Sequence, residues 1–102
     1  MLLEIAEIEV RAGKEDAFAT AMRETGVPAL AACEGVVSVA FGRGVENPSK
    51  FTFNVVWTSL EAHTAARELE SFGTFRSAMG DLTCGGAMCH YVMDTPVPGA
   101  SA

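Results

Sequence analysis

The chain has 102 residues, 49% of them apolar and 10 more glycine, an apolar-plus-glycine share of roughly 58% against about 45–50% in soluble proteins, yet no apolar run nears the ~18 residues of a spanning helix. A chain of this length forms one domain and leaves about a third of its unfolded surface exposed, so the surplus apolar surface is expected to meet a second copy of the chain rather than a membrane. Seven basic residues, scattered singly, against thirteen acidic ones give a net charge of −6, which argues against nucleic acid because phosphates demand clustered positive charge.

Residues 2–10 are rich in branched apolar side chains and end at Arg11-Ala12-Gly13, a strand followed by a turn. Their charges, Glu4, Glu7 and Glu9, have the wrong sign for a signal peptide, and a cytoplasmic location is expected. From Lys14 to about Cys33, Phe18, Met22, Ala29, Ala32 and Cys33 fall close to helical spacing. Pro28 lacks a backbone donor and crowds the carbonyl four residues back, which predicts a kink near Glu24 to Gly26. Glu34-Gly35 ends this helix.

Val36 to Val45 reads as a second strand and Phe51 to Trp57 as a third, paired antiparallel through the polar turn 46–50. Thr58-Ser59-Leu60-Glu61 fits a capping box in which the Thr58 hydroxyl accepts from the Glu61 amide. The helix it opens is expected to run to about Glu70, with a further turn or short helix from Ser71 to Met79. Asp81 to Gly86 reads as a loop and Ala87 to Asp94 as a fourth strand. One domain thus spans 1–95, and residues 96–102, with two prolines and small residues, form a flexible tail.

The order β-α-β-β-α-β is that of the ferredoxin-like split βαβ unit, an α+β fold whose antiparallel sheet carries both helices on one face. On strand three Phe51, Phe53, Val55 and Trp57 share one side, and on strand two Val37, Val39 and Phe41 are expected to share one side against Val36 and Ala40. Neither strand alternates cleanly between apolar and polar, so both sheet faces are expected to be partly covered, one by helices and the other by a second subunit. Cys33, Cys84 and Cys89 are odd in number and form no Cys-x-x-Cys pair, which reads as reduced thiols. Cys89 and His90 are neighbours on a strand and point to opposite faces, so Cys84, Cys89 and His90 are not expected to bind metal.

Three segments carry a resemblance: Arg11-Ala12-Gly13-Lys14-Glu15-Asp16-Ala17-Phe18, the entry to strand two at Ala32-Cys33-Glu34-Gly35-Val36-Val37, and Trp57-Thr58-Ser59-Leu60-Glu61-Ala62-His63. Together they resemble the antibiotic biosynthesis monooxygenase family, over about Leu2 to Asp94. The resemblance implies a dimeric α+β barrel and a range of activities that includes cofactor-free oxygenases of anthrone-like or quinol-like aromatics, haem-degrading enzymes and small-metabolite isomerases. The axial histidine of the haem-degrading branch, in a Phe-x-x-x-His segment, is replaced here by Met79 in Phe75-Arg76-Ser77-Ala78-Met79, and the first-strand asparagine of that branch by Ala6. The Ser-Pro-His-like segment of quinol-oxidising relatives also has no match at Glu70-Ser71-Phe72.

Cofactor-free oxygenation requires a base, an apolar slot for a flat substrate, and donors that hold the anion formed. His63 and His90 are the only side chains here whose ordinary pKa lies near neutrality. By helical geometry His63 falls opposite the Ala62, Ala65, Ala66 and Leu69 stripe, on a face expected to be solvated. Its place in the family-like segment nevertheless makes it the first choice as base, with the helix-start amides lowering its pKa, and His90 the second. Asn54, Trp57, Arg76 and Tyr91 are the expected substrate-binding donors, with Phe72 and Phe75 as walls beside Met79 and Met88. The resulting expectation is a cofactor-independent monooxygenase, without metal or other cofactor, acting as a homodimer on an aromatic, anthrone-like or quinol-like small metabolite between sheet and helices. The alternatives are a non-catalytic small-molecule-binding or stress-associated dimer, and a small-metabolite isomerase.

Overall fold

Strand β1, Leu2–Val10, is the organising element of the computed structural model, which describes residues 1–101. Its even-numbered residues turn toward the helices: Glu4 and Val10 are buried, and Leu2, Ala6 and Ile8 pack against the core. β1 lies between two antiparallel partners, β3 (Lys50–Trp57) and β4 (Thr83–Val92), and β3 pairs in turn with β2 (Val36–Arg43), giving the order β2-β3-β1-β4. The helices, α1 (Glu15–Ala21), α2 (Val27–Ala31), α3 (Leu60–Ala66) and α4 (Glu70–Met79), follow β1 and β3. The fold is the expected ferredoxin-like α+β arrangement.

The kink expected in the first helical segment takes a definite form. Between α1 and α2, residues Met22–Gly26 form one wide turn of π-helix, in which the Val27 amide donates to the carbonyl of Met22, five residues back. Pro28 occupies the first turn of α2, where its missing N–H does least harm. A Cβ built on Gly26 would stand 2.6 Å from Met22 Sδ and 3.6 Å from Phe75, so glycine lets the wide turn close on its neighbours.

Several details differ from the sequence reading, among them the ends of β2 at Arg43 rather than Val45 and of β4 at Val92 rather than Asp94. Ser59, rather than Thr58, caps α3, its hydroxyl accepting from the Ala62 amide at 3.1 Å. That helix ends at Ala66 instead of near Glu70. The stretch expected as a loop at Asp81 to Gly86 instead contributes Thr83 to Gly86 to β4, because the backbone of β1 offers pairing partners down to Val10–Thr83, and pairing outweighs the poor strand propensity of Gly85 and Gly86. In β2 the register shifts between Val36 and Ser38. This bulge puts Val36 on the helix side with Val39 and Phe41, which pack against the core, and leaves Val37 63% exposed, whereas strict alternation would have grouped Val37 with them. Among the described residues no regular element follows Val92, and Ala102, the end of the expected tail, lies outside them.

An aromatic cluster fills one end of the core: Phe18 on Phe51 with centroids 5.0 Å apart, Phe41 on Phe53 at 5.1 Å, and Phe53 edge-on to Phe75 at 5.4 Å. At the other end the core turns polar.

Candidate active site

Between the helix-facing side of the sheet and the helices lies a cavity of about 330 Å³, at the small end of the ~300–1,000 Å³ typical of small-molecule pockets. Ala6, Ile8, Phe53, Val55 and Met88 line it from the sheet, and Leu30, Phe72, Phe75 and Met79 from the helices. Its walls are therefore mostly aliphatic, aromatic and thioether groups. The polar exceptions are Glu4, His63, Arg67 and Arg76.

Glu4 and His63 belong to a cluster built by four elements. The register of β1 on β4 sets Glu4 opposite His90, and period-two alternation sends both side chains to the helix side. Trp57, the last residue of β3, is 1% exposed, and its indole Nε1–H donates to Glu4 Oε1 at 2.9 Å. The turn after Trp57 starts α3, whose second turn lowers His63 onto the same carboxylate: His63 Nε2 is 3.4 Å from Glu4 Oε1. The His63 ring meets Trp57 edge-on at 5.2 Å and His90 at 4.4 Å between centroids. The Nε2 atom of His90 is buried without a hydrogen-bond partner among the described residues.

His63 is thus 8% exposed, in contrast to the solvated position expected from helical geometry. The alanine stripe of α3 does not mark its single buried side. Ala62, Ala65 and Ala66 turn toward the Glu34-Gly35 turn, and the adjacent face carries His63 to the sheet, so this short helix contacts two neighbours. Burial holds the His63 imidazole below its ordinary pKa of 6.5; the Glu4 charge opposes this, and His90 and Arg67 add to it. Loss of solvation, rather than the dipole of a seven-residue helix, keeps His63 neutral.

The expected substrate-binding residues divide into two groups. Phe72, Phe75 and Arg76 line the cavity with His63, and the Arg76 guanidinium lies 4.8 Å over the Phe72 ring. Trp57 stands behind Glu4, and its N–H is already engaged. Asn54 and Tyr91 occupy the opposite face of the sheet, where Thr52 donates to Asn54 Oδ1 at 3.2 Å and Tyr91 sits 3.3 Å from Cys89 Sγ, a contact that raises its phenol pKa. Glu4 and Arg67 were absent from the expected set. The signal for Glu4 is a carboxylate in the same alternating file as Ala6, Ile8 and Val10, where an apolar residue belongs.

The model of the antibiotic biosynthesis monooxygenase family matches residues 1–78. No curated protein matches the chain in sequence. Among solved structures, a candidate antibiotic biosynthesis monooxygenase from Bordetella bronchiseptica is 25% identical, covering 92% of this chain and 97% of its own, with a TM-score of 0.83. One from Deinococcus radiodurans is 13% identical over 99% of this chain and 100% of its own, with a TM-score of 0.79. A variant of SnoaB, a cofactor-independent oxygenase from Streptomyces nogalater, is 16% identical over 96% of this chain and 97% of its own, with a TM-score of 0.77. Among the described residues no helix is long and apolar enough to cross a membrane.

Proposed function

The chain belongs to the antibiotic biosynthesis monooxygenase family, and on that premise we propose that it oxygenates a flat aromatic metabolite of anthrone or quinol type in the cavity between sheet and helices, without a cofactor. The observation that carries this reading is the placement of His63, buried beside Glu4, in the wall of a cavity otherwise lined mostly by apolar groups. The structural likeness to SnoaB, a cofactor-independent oxygenase, supports it.

For an anthrone the reaction begins when neutral His63 takes a proton from the benzylic CH2. The imidazolium that forms lies next to the Glu4 carboxylate, whose position is fixed by Trp57. The substrate anion spreads over the rings and oxygen, and the guanidinium groups of Arg67 and Arg76 at the cavity wall stabilise it. An electron passes to dioxygen, the substrate radical and superoxide join in a C–O bond, the His63 imidazolium returns its proton to the peroxide anion, and the resulting hydroperoxide loses water to leave a carbonyl. One oxygen atom ends in the new carbonyl and the other in water.

The test is oxygen uptake with a panel of anthrones and hydroquinones across pH 5 to 9. His63→Ala is expected to lower the rate about 10²–10⁴-fold with the fold intact, and His90→Ala to lower it less. Equal rates in wild type and His63→Ala overturn the assignment of the base, and no turnover by wild type overturns the activity.

The same premise extends to assembly. We infer a homodimer that covers the sheet face away from the helices, where Leu3, Ile5, Val56 and Tyr91 surround Asn54, and a cytoplasmic location consistent with three free thiols.

A further inference from the structure

We propose that Glu4, His63 and His90 form a binding site for one divalent transition-metal ion of the zinc class. The three side chains come from β1, α3 and β4 and offer one carboxylate oxygen and two imidazole nitrogens, all within 4.8 Å of one another. An ion bound at about 2.0–2.2 Å to each donor holds the donors about 3–3.5 Å apart. The His63–Glu4 separation of 3.4 Å already has this value, and the remaining separations, none above 4.8 Å, close to it by side-chain rotation.

A second observation points the same way. The Nε2 atom of His90 is buried with no partner among the described residues, although a buried ring nitrogen is costly to leave unpaired. A cation between the two rings gives that nitrogen a bond. The indole of Trp57, donating to Glu4 Oε1 at 2.9 Å, already orients the carboxylate as outer partners of metal ligands do.

The donor set selects the ion. Two imidazoles and one carboxylate disfavour magnesium and calcium, which require oxygen, and suit zinc, cobalt, nickel or ferrous iron. Three protein donors leave at least one position open, and because Glu4 and His63 line the cavity, the ion reaches the cluster from there. The sulfur atoms of Cys84 and Cys89 are exposed, with Cys89 on the far face of the sheet beside Ile5 and Tyr91, so they are not part of this site. A cation on His63 takes the lone pair that a substrate proton would take. The metal-loaded form and the base are therefore alternative states of one site.

Binding is read directly, so its failure leaves the oxygenation reading untouched. Tag-free protein, stripped by chelator and dialysed, is titrated with Zn²⁺ in a calorimeter, and its two imidazoles are followed by nitrogen-15 NMR. The expected result is one Zn²⁺ per chain, with the resonances of both histidines shifted at one equivalent. Glu4→Gln and His90→Ala are each expected to weaken binding at least about tenfold, while Cys84→Ser with Cys89→Ser leaves it unchanged. Absence of saturable binding, a shift at one imidazole alone or at neither, or binding lost with the cysteines overturns the proposal. If either histidine-cluster variant does not fold, the wild-type titration and the imidazole spectra decide the matter alone.

Discussion

Two opposing influences meet at the imidazole of His63. Burial disfavours its charged form, with His90 and Arg67 acting in the same direction, while Glu4 favours that form; burial is the larger, and the pKa stays below 6.5. Among groups facing it from other elements, Glu4 comes from β1 and His90 from β4, and the Arg76 guanidinium of α4 shares its cavity. In the unfolded chain the same imidazole takes up a proton as pH falls through about 6.5. The unfolded state then binds more protons than the native one, so this contribution to stability is present in full above pH 6.5 and is lost as pH falls below it. Urea midpoints of chelator-treated protein are expected to drop between pH 7 and pH 5, and to drop less in His63→Asn. A wild-type midpoint that is flat across that range contradicts the argument. Trp57 illustrates a different balance, because it is both a core residue and the partner of Glu4. Trp57→Ala is expected to cost about 3–5 kcal/mol in denaturant unfolding, whereas Trp57→Phe keeps most of the packing and loses mainly the donated hydrogen bond, for about 1–3 kcal/mol. A Trp57→Phe variant as stable as wild type would show that the hydrogen bond contributes nothing, and equal losses in the two variants would show that packing of the ring adds nothing beyond it.

At the scale of elements, the turn at Gly35 joins the first helical segment to β2 and also receives α3. Its φ of +93° lies in the left-handed region, and a Cβ there would stand 2.5 Å from that of Ala62. Gly35→Ala therefore combines backbone strain with a clash against the Ala62 Cβ, which can move only with the backbone of α3. A loss of about 2–4 kcal/mol is expected by urea unfolding, and a loss under 1 kcal/mol would show that α3 is free to shift. Gly35 was also legible as a boundary in the sequence, as were β1, the kink before Pro28 and the pairing of β2 with β3, because each is signalled locally by periodicity or by a residue with a fixed backbone preference. The elements that were misplaced depend on distant partners. Thr83 to Gly86 have little strand propensity of their own and are held by β1, more than 70 residues earlier in the chain. The bulge at Val37 is set by pairing with β3, and nothing in Val36-Val37-Ser38-Val39 announces it. The cluster at the candidate site follows the same rule. His63 was identified from its segment, but its burial and its carboxylate partner require knowing that α3 settles over β1, which no local pattern reveals.

At the scale of the whole molecule, the helices cover one face of the sheet and leave the other bare. That bare face is not polar: Leu3 stands beside Val56 and Tyr91, and Ile5 beside Asn54 and Cys89, with these residues half-buried or exposed within one chain. Among the described residues, Asn54 at its centre has only the Thr52 hydroxyl as a side-chain partner, so its amide N–H groups are available to a second subunit. Apposition of two such sheets would bury the apolar groups, leave the cavities on the outer sides and use each copy's Asn54 as a polar fixture that sets register. A dimer through this face should scatter light as twice the chain mass of 10.7 kDa. Ile5→Lys would place a charge in the middle of the buried patch and is expected to shift the equilibrium to monomer at micromolar concentration, since an unpaired buried charge is strongly unfavourable. Val45→Lys, in the β2–β3 turn and 88% exposed, should leave the mass at two chains. The expected outcome is therefore dimeric wild type and Val45→Lys against monomeric Ile5→Lys. A wild type that scatters as a single chain removes the dimer, and an Ile5→Lys protein that stays dimeric moves the interface to another surface.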